Sequence, residues 1–459
     1  MVVQHNMQAM NANRMLGTTT RSQAKATEKL SSGYKINRAA DDAAGLSISE
    51  KMRKQIKGLD QASTNAQDGI SSVQTAEGAL TEVHSMLQRM NELAVQAANG
   101  TNSESDRQSI QDEIAQLTTE IDRVAETTKF NETYLLKGNG KSTTVQISAK
   151  DAGIEGKLLG VGTGTATFTM DELKTGSTIS IGSKGYTIGT KVADVRAKVP
   201  NIATCTVNIN GTEYTVVTAA GDVDESANKY TQADIQAMIK DGDTVIIGTN
   251  TYVSMIDADS NNIGDNDASV ITATKAYELI KDELTKASSM GADPGHEATV
   301  TQAAAVTNGK MEFTIVEGTV KATQGLQLGL HVGADADETN KIAFTIDTMD
   351  AAGLGIKGMN LVDGTGAKAT YAIDVISDAL AKVSAQRSTL GAIQNRLEHT
   401  IANLDNVVEN TTSAESEIRD TDMAEAMVEY SKNNILQQAG QSMLAQANQA
   451  TQGVLSLLQ

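Results

Sequence analysis

The sequence predicts an α+β protein in which long antiparallel coiled-coil helices from both chain ends form a rod that carries a central β-rich inserted domain. Three observations predict this class. Apolar residues recur every seven positions in the first and last thirds of the chain. Neither third contains proline, since Pro200 and Pro294 both lie in the middle. The middle, residues 139–368, consists of short alternating runs rich in Thr, Gly, Val and Ile.

The first long helix is predicted over residues 48–97. One seam position of its heptad falls on Met52, Leu59, Ala66, Val73, Leu80, Leu87 and Ala94. The other falls on Ile48, Gln55, Ala62, Gly69, Ala76, Val83, Met90 and Ala97. An apolar repeat of this length is typical of coiled-coil packing and rare in a single globular helix.

A turn and a second helix follow. Residues 99–102 (NGTN) interrupt the heptad, as turn residues do. The next apolar row comprises Ile110, Ile114, Leu117, Ile121 and Val124. Residues 103–106 supply a cap and acidic side chains where this helix begins.

The last third repeats the helical pattern. One row comprises Ile376, Val383, Leu390, Leu397 and Leu404, and a later row comprises Leu436, Met443, Ala450 and Leu457. Helices with exposed apolar seams need a partner, so we expect the N-terminal and C-terminal helices to pair. Charge agrees, because residues 1–60 carry ten Lys and Arg against five Asp and Glu, and residues 399–459 carry two against eight.

The middle region is predicted to form strands with a few helices. The strand runs are Thr165–Met170, Thr178–Ile181, Cys205–Ile209, Tyr214–Thr218, Val245–Ile247, Met311–Val316 and Ile342–Ile346. Asn210-Gly211 between two of them indicates a hairpin. A strand–turn–Tyr layout repeats at residues 179–186, 207–214 and 245–252, and helical stretches follow the second and third copies near 232–240 and 273–288.

Three domains are therefore expected. Residues 1–35 and 420–459 form a terminal helical pair, residues 36–150 and 324–419 form a helical rod domain with a β-hairpin region, and residues 151–323 form the β-rich insert. The outermost ends are rich in Asn, Gln and Thr, and isolated helices of such composition are marginal. We expect them to become ordered when neighbouring chains cover them, which predicts self-assembly.

Composition argues against several classes of function. The net charge of -19 is unfavourable for nucleic acid and for anionic membrane surfaces. No apolar run approaches the length of a membrane span. The first twenty residues lack the apolar core of a cleaved signal peptide. The protein is thus expected to be cytosolic, or to be secreted by a route that reads no cleaved signal.

No motif predicts an active site, a cofactor or a metal. Gly140-Lys141 lacks the glycine that a phosphate-binding loop needs five residues earlier. Asp257, Asp259 and Asn261 imitate the start of a calcium loop, but Asn262 stands where glycine is needed and Ala268 replaces the bidentate glutamate. A solvated acidic turn is the expectation there, with weak calcium binding left open.

At both ends the residues resemble the bacterial flagellin family. The N-terminal matches are Glu28–Leu46 (EKLSSGYKINRAADDAAGL), Gly58–Ser72 (GLDQASTNAQDGISS), Leu87–Gln96 (LQRMNELAVQ) and Thr128–Asn131 (TKFN) with Leu135 and Leu136. The C-terminal matches are Leu390–Leu397 (LGAIQNRL), Ala402–Asn406 (ANLDN), Ile418–Ala424 (IRDTDMA) and Ala445–Ala450 (AQANQA) through Leu457 and Leu458. The match spans roughly residues 1–150 and 325–459; the insert resembles no family that we can name.

The resemblance implies a structural subunit that self-assembles into the flagellar filament for motility. Such a homopolymer is secreted, without signal cleavage, to the extracellular flagellum through the type III export apparatus. It implies a chaperone on the C-terminal helix, a distal cap protein and hook-junction proteins as partners, with the terminal helical pair innermost and the insert outermost. The assembly seam is then predicted at Leu80, Leu87, Leu397, Leu404, Leu436, Met443 and Leu457.

The resemblance also implies recognition by Toll-like receptor 5. The matching positions are Gln88, Arg89, Leu93 and Glu113. The heptad directs Leu87, Met90 and Ala94 inward, so Arg89 and Leu93 are expected on the outer face. Asn91 departs from the arginine that some strong agonists carry. The alternative is a solvated helix face with one flanking leucine.

Two other functions compete with the filament subunit. One is an adhesin or enzyme carried by the insert; residues 151–323 contain no metalloprotease ligand motif, so no enzyme is expected. The other is a hook–filament junction protein, which shares the terminal pattern. The matches at both ends favour the main filament subunit.

Overall fold

Long helices occupy both ends of the chain in the computed structural model, which describes residues 6–456. The helices are α1 (Met7–Ser32), α2 (Ala43–Ala98), α3 (Glu104–Thr127), α4 (Val192–Lys198), α5 (Gln232–Met238), α6 (Ala273–Ser288), α7 (Ala351–Leu354), α8 (Ala367–Arg419) and α9 (Met423–Ser456). The predicted fold class is confirmed: α1, α2, α8 and α9 are long helices from the two ends, and the region between them is rich in strands.

The strands lie between α3 and α8. They are β1 (Lys129–Phe130), β2 (Thr133–Tyr134), β3 (Ser142–Gln146), β4 (Lys157–Leu159), β5 (Thr165–Asp171), β6 (Thr178–Ile181), β7 (Lys184–Lys191), β8 (Thr206–Ile209), β9 (Thr212–Val217), β10 (Lys229–Thr231), β11 (Thr244–Ile247), β12 (Asn250–Met255), β13 (Val270–Thr272), β14 (Thr299–Gln302), β15 (Lys310–Val316), β16 (Thr319–Thr323), β17 (Leu326–His331) and β18 (Lys341–Ile346). The larger sheets have the orders β10-β9-β8-β11-β12-β7-β13, with β6 beside β7, and β14-β15-β5-β4. The pairs β1-β2, β16-β3 and β17-β18 form two-stranded sheets.

The chain forms two compact units. The first comprises residues 1–71, 329–343 and 393–459, and the second comprises residues 72–328 and 344–392. The helices α2 and α8 contribute to both. The three-domain division expected from the sequence, with its boundaries after residues 35, 150, 323 and 419, stays a prediction.

In the first unit, α1 and α9 pack against each other in antiparallel fashion. The Asn6 side-chain amide, which caps α1, donates to the carbonyl of Ala447 (3.0 Å). Farther along, Leu16 lies against Gly440, where an added Cβ would stand 3.3 Å from Leu16 Cδ1. The glycine therefore lets the two helices approach closely.

The links between consecutive helices of the first unit are joined to each other. The amide of Lys35 donates to the Arg419 carbonyl (2.7 Å), and that of Thr421 donates to the Gly33 carbonyl (3.0 Å). The Arg419 guanidinium lies 4.9 Å from the centre of the Tyr34 ring and 2.8 Å from Glu50 Oε1. These bonds hold the α1–α2 link against the α8–α9 link.

The apolar core of the first unit lies between α2, α8 and residues of β17 and β18. Ala66, Leu397, Val332 and Ile342 form its buried centre. The hydroxyl of Ser63 donates to Asp405 Oδ1 (3.2 Å) across the two helices. The predicted antiparallel pairing of the N-terminal and C-terminal helices is thus present here.

The predicted heptad is wrong at the first two positions of one seam row, because Ile48 and Gln55 are both exposed. Ile48 is 47% exposed, and the neighbouring Ser49 is buried instead. A straight α-helix drifts by about 20° per heptad relative to a strict 3.5-residue repeat. The predicted seam positions face the partner helix at Val83 and Met90. Nearer the start of α2, the accumulated drift rotates them away from it.

In the second unit, the same two helices bury the central part of the seam. Leu80, Leu87 and Leu390 are fully buried. An Arg387 Nη2–Glu77 Oε1 ion pair (3.2 Å) crosses between the helices. The unit also contains α3, which begins with the predicted capping: Ser103 accepts from the Asp106 amide (3.2 Å), and Asp106 accepts from the Ser103 amide (3.0 Å).

A buried arginine closes the carboxyl end of α2. The Arg107 side chain, from the first turns of α3, is 2% exposed. Its Nε donates to the carbonyl of Ala97 (2.9 Å) and its Nη2 to that of Asn99 (3.2 Å). Its Nη1 donates to the carbonyl of Asp363 (3.2 Å). One guanidinium therefore satisfies free carbonyls from three places, as the end of a helix requires.

The predicted repeat of the insert is a hairpin followed by a helix. The copies are β6–β7–α4, β8–β9–α5 and β11–β12–α6, with short strands preceding the last two helices. The helix after the first copy, α4, was not predicted from the sequence. The inner faces of α4 and α5 share a core of Val195, Val199, Val207, Ile209, Val216, Ile235, Ile239 and Val245.

The predicted Asn-Gly hairpin is confirmed. Ile209 pairs with Thr212, and the two turn residues have φ of 51° at Asn210 and 86° at Gly211. Both angles lie in the left-handed region that a type I′ turn needs. Glycine adopts this region without the steric cost that a Cβ brings.

The seam predicts the effect of truncating one buried leucine. Leu80→Ala should lower the free energy of unfolding by about 2–5 kcal/mol, because it removes buried methyl groups and leaves a cavity. Val95→Ala is the control on the same helix, where the side chain is 53% exposed; it should change stability by less than about 0.5 kcal/mol. Urea unfolding followed by circular dichroism at 222 nm measures both. Equal midpoints would contradict the seam.

The hairpin predicts a local effect at its turn. Gly211→Ala should destabilise the β8–β9 hairpin by about 1 kcal/mol, and so raise opening of the β9 amides roughly fivefold. Gly221→Ala is the control, because a Cβ there meets nothing within 4 Å and its φ is ordinary. Amide hydrogen exchange over residues 206–217 distinguishes the two variants, and unchanged exchange in Gly211→Ala would exclude a turn that depends on glycine.

Candidate assembly and recognition surfaces

The N-terminal helix α1 exposes a row of methionines. Met7, Met10 and Met15 are 70%, 64% and 59% exposed. Among the described residues of this helix, Ala26 is the buried one. The composition explains this, because the polar Asn, Gln and Thr around the methionines leave little apolar area to bury within the chain.

The C-terminal helix α9 exposes larger apolar side chains along most of its length. They are Met423, Met427, Val428, Ile435, Leu436 and Met443. Val428 and Ile435 are 69% and 67% exposed. Aliphatic residues repeated along one helix without a cover are typical of a surface that contacts another chain.

The predicted assembly seam divides into two groups. Leu80, Leu87, Leu397 and Leu404 are buried inside the chain. Leu436 and Met443 are 47% and 60% exposed, and they line a groove with Leu16 of α1. Leu457 lies outside the described residues. The first group therefore holds the chain to itself, whereas the second group is free to contact other molecules.

The predicted receptor patch centres on an ion-paired arginine. Arg89 on α2 contacts Glu113 on α3 (Nη2–Oε1 2.9 Å) and Glu92 (Nη1–Oε2 3.2 Å). The carboxylates of Glu113 and Glu92 hold the pKa of the Arg89 guanidinium above its ordinary value. Gln88 lies beside it and bonds His84 (3.1 Å). Glu92 was not predicted, although its spacing of three from Arg89 was a signal.

The predicted exposure of Leu93 is wrong. Its side chain is 2% exposed. The heptad analysis gave α2 a single partner, but α3 runs beside the same stretch, as the bonds from Arg89 to Glu113 and from Arg107 to Ala97 show. A third helix thus covers the flank that a two-helix coiled coil leaves open. Arg89, Gln88 and Glu113 remain accessible.

A group of acidic side chains lies in the loop between β12 and β13. Among residues 6–456, one group of three acidic side chains, Asp257, Asp259 and Asp265, lies close enough together to hold a metal ion. Within residues 6–456, no helix is both long enough and apolar enough to span a bilayer.

Comparison with known proteins identifies the helical ends. The family model of the bacterial flagellin N-terminal helical region matches residues 3–141. The model of the bacterial flagellin C-terminal helical region matches residues 373–458. These matches contain α1, α2 and α3, the part of α8 from residue 373 onward, and all of α9 that the structure describes.

Flagellins of several bacteria are similar to the chain over its whole length. The flagellin of Clostridium tyrobutyricum is 42% identical over 456 residues, covering 98% of this chain and 100% of the relative. That of Halalkalibacterium halodurans is 33% identical over 458 residues, covering 100% of both. Polar flagellin A of Vibrio parahaemolyticus is 35% identical over 463 residues, covering 99% of both. This favours the filament subunit over the junction protein, and the chain belongs to the bacterial flagellin family of filament structural subunits.

Proposed function

We propose that the exposed faces of α1 and α9 are the surfaces through which successive subunits pack in the filament. The observation that carries this proposal is the row of uncovered aliphatic side chains on α9, with Ile435 and Val428 about two-thirds exposed. Burial of apolar surface yields about 25 cal/mol per Å². A filament that covers these rows gains this free energy at every subunit.

Subunit packing of this kind leaves the core of each subunit unchanged. The seam of α2 and α8 is already buried within the chain, at Leu80 and Leu397 for example. The α1–α9 pair contributes few buried side chains, so most of its burial comes from neighbours. This agrees with a subunit that folds its middle region alone and completes its terminal helices on assembly.

The remaining partners follow from the same surfaces. The subunit leaves the cell through the type III export apparatus, and a chaperone covers the apolar row of α9 before assembly. Met427 and Ile435 on that row are 52% and 67% exposed and would otherwise be open to premature association. Outside the cell, a cap protein guides addition at the distal end, and hook-junction proteins hold the base.

Toll-like receptor 5 is the proposed reader of the Arg89 patch. Arg89 is half-exposed, with a side-chain accessibility of 52%, and Glu113 and Glu92 hold it in one orientation. An arginine pre-organised in this way loses little conformational entropy on binding and suits an interface hot spot. Leu93 supports the helix from below and is not proposed to contact the receptor.

A charge on α9 should block assembly. Ile435→Glu should lower the rate of seeded polymerisation at least about tenfold, because the carboxylate would be buried at the contact between subunits. Turbidity and electron microscopy of seeded monomer measure the rate.

The matched control is Ile202→Glu in the insert, where the isoleucine is 65% exposed. Its polymerisation should stay within about twofold of the unmodified chain, since a charge on a solvated surface costs little. Wild-type assembly of Ile435→Glu, with filaments of normal appearance, would refute the α9 contact.

Removal of the receptor-facing arginine should weaken signalling. Arg89→Ala should raise the concentration for half-maximal response at least about tenfold, as loss of an interface hot spot does. Cells that carry Toll-like receptor 5 and a reporter measure this response.

Arg123→Ala on α3 is the control, because Arg123 is also exposed and paired with a glutamate three residues away, Glu120. Its response should match that of the unmodified chain. A normal response from Arg89→Ala together with a normal response from Glu113→Ala would place the receptor contact elsewhere.

A further inference from the structure

The loop that joins β12 to β13 gathers three carboxylates. Asp257 follows β12, and Asp259 and Asp265 lie farther along the loop. One oxygen of each residue lies within 4.8 Å of the corresponding oxygens of the other two. Asp259 and Asp265 are exposed, so solvent reaches the cluster from one side.

Asp257 is buried and incompletely bonded. Its side chain is 0% exposed. Its Oδ2 accepts from Lys191 Nζ (2.8 Å) and from the Asn262 amide (3.1 Å). Its Oδ1 is also buried and has no hydrogen-bond partner within the described part of the chain. A buried carboxylate oxygen without a donor is costly and rare in folded proteins, so this atom indicates a ligand.

The charges of the cluster are also incompletely balanced. The Asp257 carboxylate forms an ion pair with the Lys191 ammonium. Within the described part of the chain, this lysine is the cation that forms an ion pair with the cluster. Three carboxylates and one ammonium leave two negative charges, which one divalent cation would neutralise.

The spacing of the carboxylates fits a calcium loop. Asp257, Asp259 and Asp265 stand at the first, third and ninth positions of such a loop. The sixth position, usually glycine, is Asn262, and its φ of 68° supplies the left-handed turn that the glycine normally provides. The twelfth position is Ala268, so the bidentate glutamate is absent.

We propose that Asp257, Asp259 and Asp265 bind a calcium ion, with water in the remaining coordination positions. An all-oxygen set of ligands suits calcium, which tolerates varied geometry, better than magnesium, which demands a near-ideal octahedron, or zinc, which prefers nitrogen and sulfur. The ion ties the end of β12 to the segment before β13. Asp259 and Asp265 are exposed, as expected for a solvated acidic turn, whereas the Asp257 side chain is buried.

The test is calorimetric titration of the full-length monomer with calcium chloride, with magnesium chloride as the competing ion. The unmodified chain should bind one calcium with a dissociation constant of about 10⁻⁴–10⁻³ M, the range of extracellular loops with few charged ligands. Asp259→Asn should weaken binding at least about tenfold, as loss of a charged ligand does. Asp282→Asn, an exposed carboxylate on α6 away from the cluster, should bind within about twofold of the unmodified chain.

A second variant excludes misfolding as the cause of weaker binding. Lys191→Gln removes the cation that shares Asp257, so calcium affinity should rise at least about threefold. If Asp259→Asn gave the same saturable heat of calcium binding as the unmodified chain, the ion would be binding diffusely to an acidic surface. That result would overturn the proposal. The proposal would also be overturned if the unmodified chain gave no heat with millimolar calcium. The same holds if Lys191→Gln bound calcium no more tightly than the unmodified chain does.

Discussion

The need to bury one long apolar seam shapes the rest of this subunit. Helix α2 has 56 residues and α8 has 53, and neither could persist in water with its leucine and alanine row exposed. Each unit resolves this by antiparallel pairing, marked by Ser63 with Asp405 in the first unit and by Glu77 with Arg387 in the second. Because the chain must return along its own path, any domain between the two helices is an insertion. That insertion can diverge in sequence without disturbing the seam.

Similar heptad rows lead to opposite outcomes in different parts of the chain. In α2 and α8 the rows contain large side chains on both partners, and the pair buries them. The row on α1 that faces α9 consists of methionines separated by polar residues. The aliphatic side chains of α9 therefore stay largely uncovered. The difference is one of composition, not of periodicity. It separates the part of the subunit that is complete alone from the part that depends on neighbours.

The sequence predicted the long helices, the capping of α3, the Asn210-Gly211 hairpin and the helix of residues 273–288, because each rests on local chemistry. It failed where a third element intervened. Leu93 is buried because α3 covers α2, and no heptad contains that information. The Asp257 side chain is buried and paired with Lys191, which lies 66 residues earlier in the chain. Ile48 was misplaced because a seven-residue count accumulates error along a straight helix. Long-range packing therefore accounts for the errors at Leu93 and Asp257, whereas helix geometry accounts for the error at Ile48.

The hydrogen bonds of Arg107 join parts of the chain that become available for folding at very different times. Its Nη1 partner, the carbonyl of Asp363, follows it by 256 residues. Until that carbonyl arrives, the end of α2 and the start of α3 share a buried cation with an unused donor, which is unfavourable in a low-dielectric interior. A chain that emerges amino terminus first therefore cannot complete this junction until more than three-quarters of it is available. Partly emerged chains therefore lack one of the three carbonyl partners of Arg107.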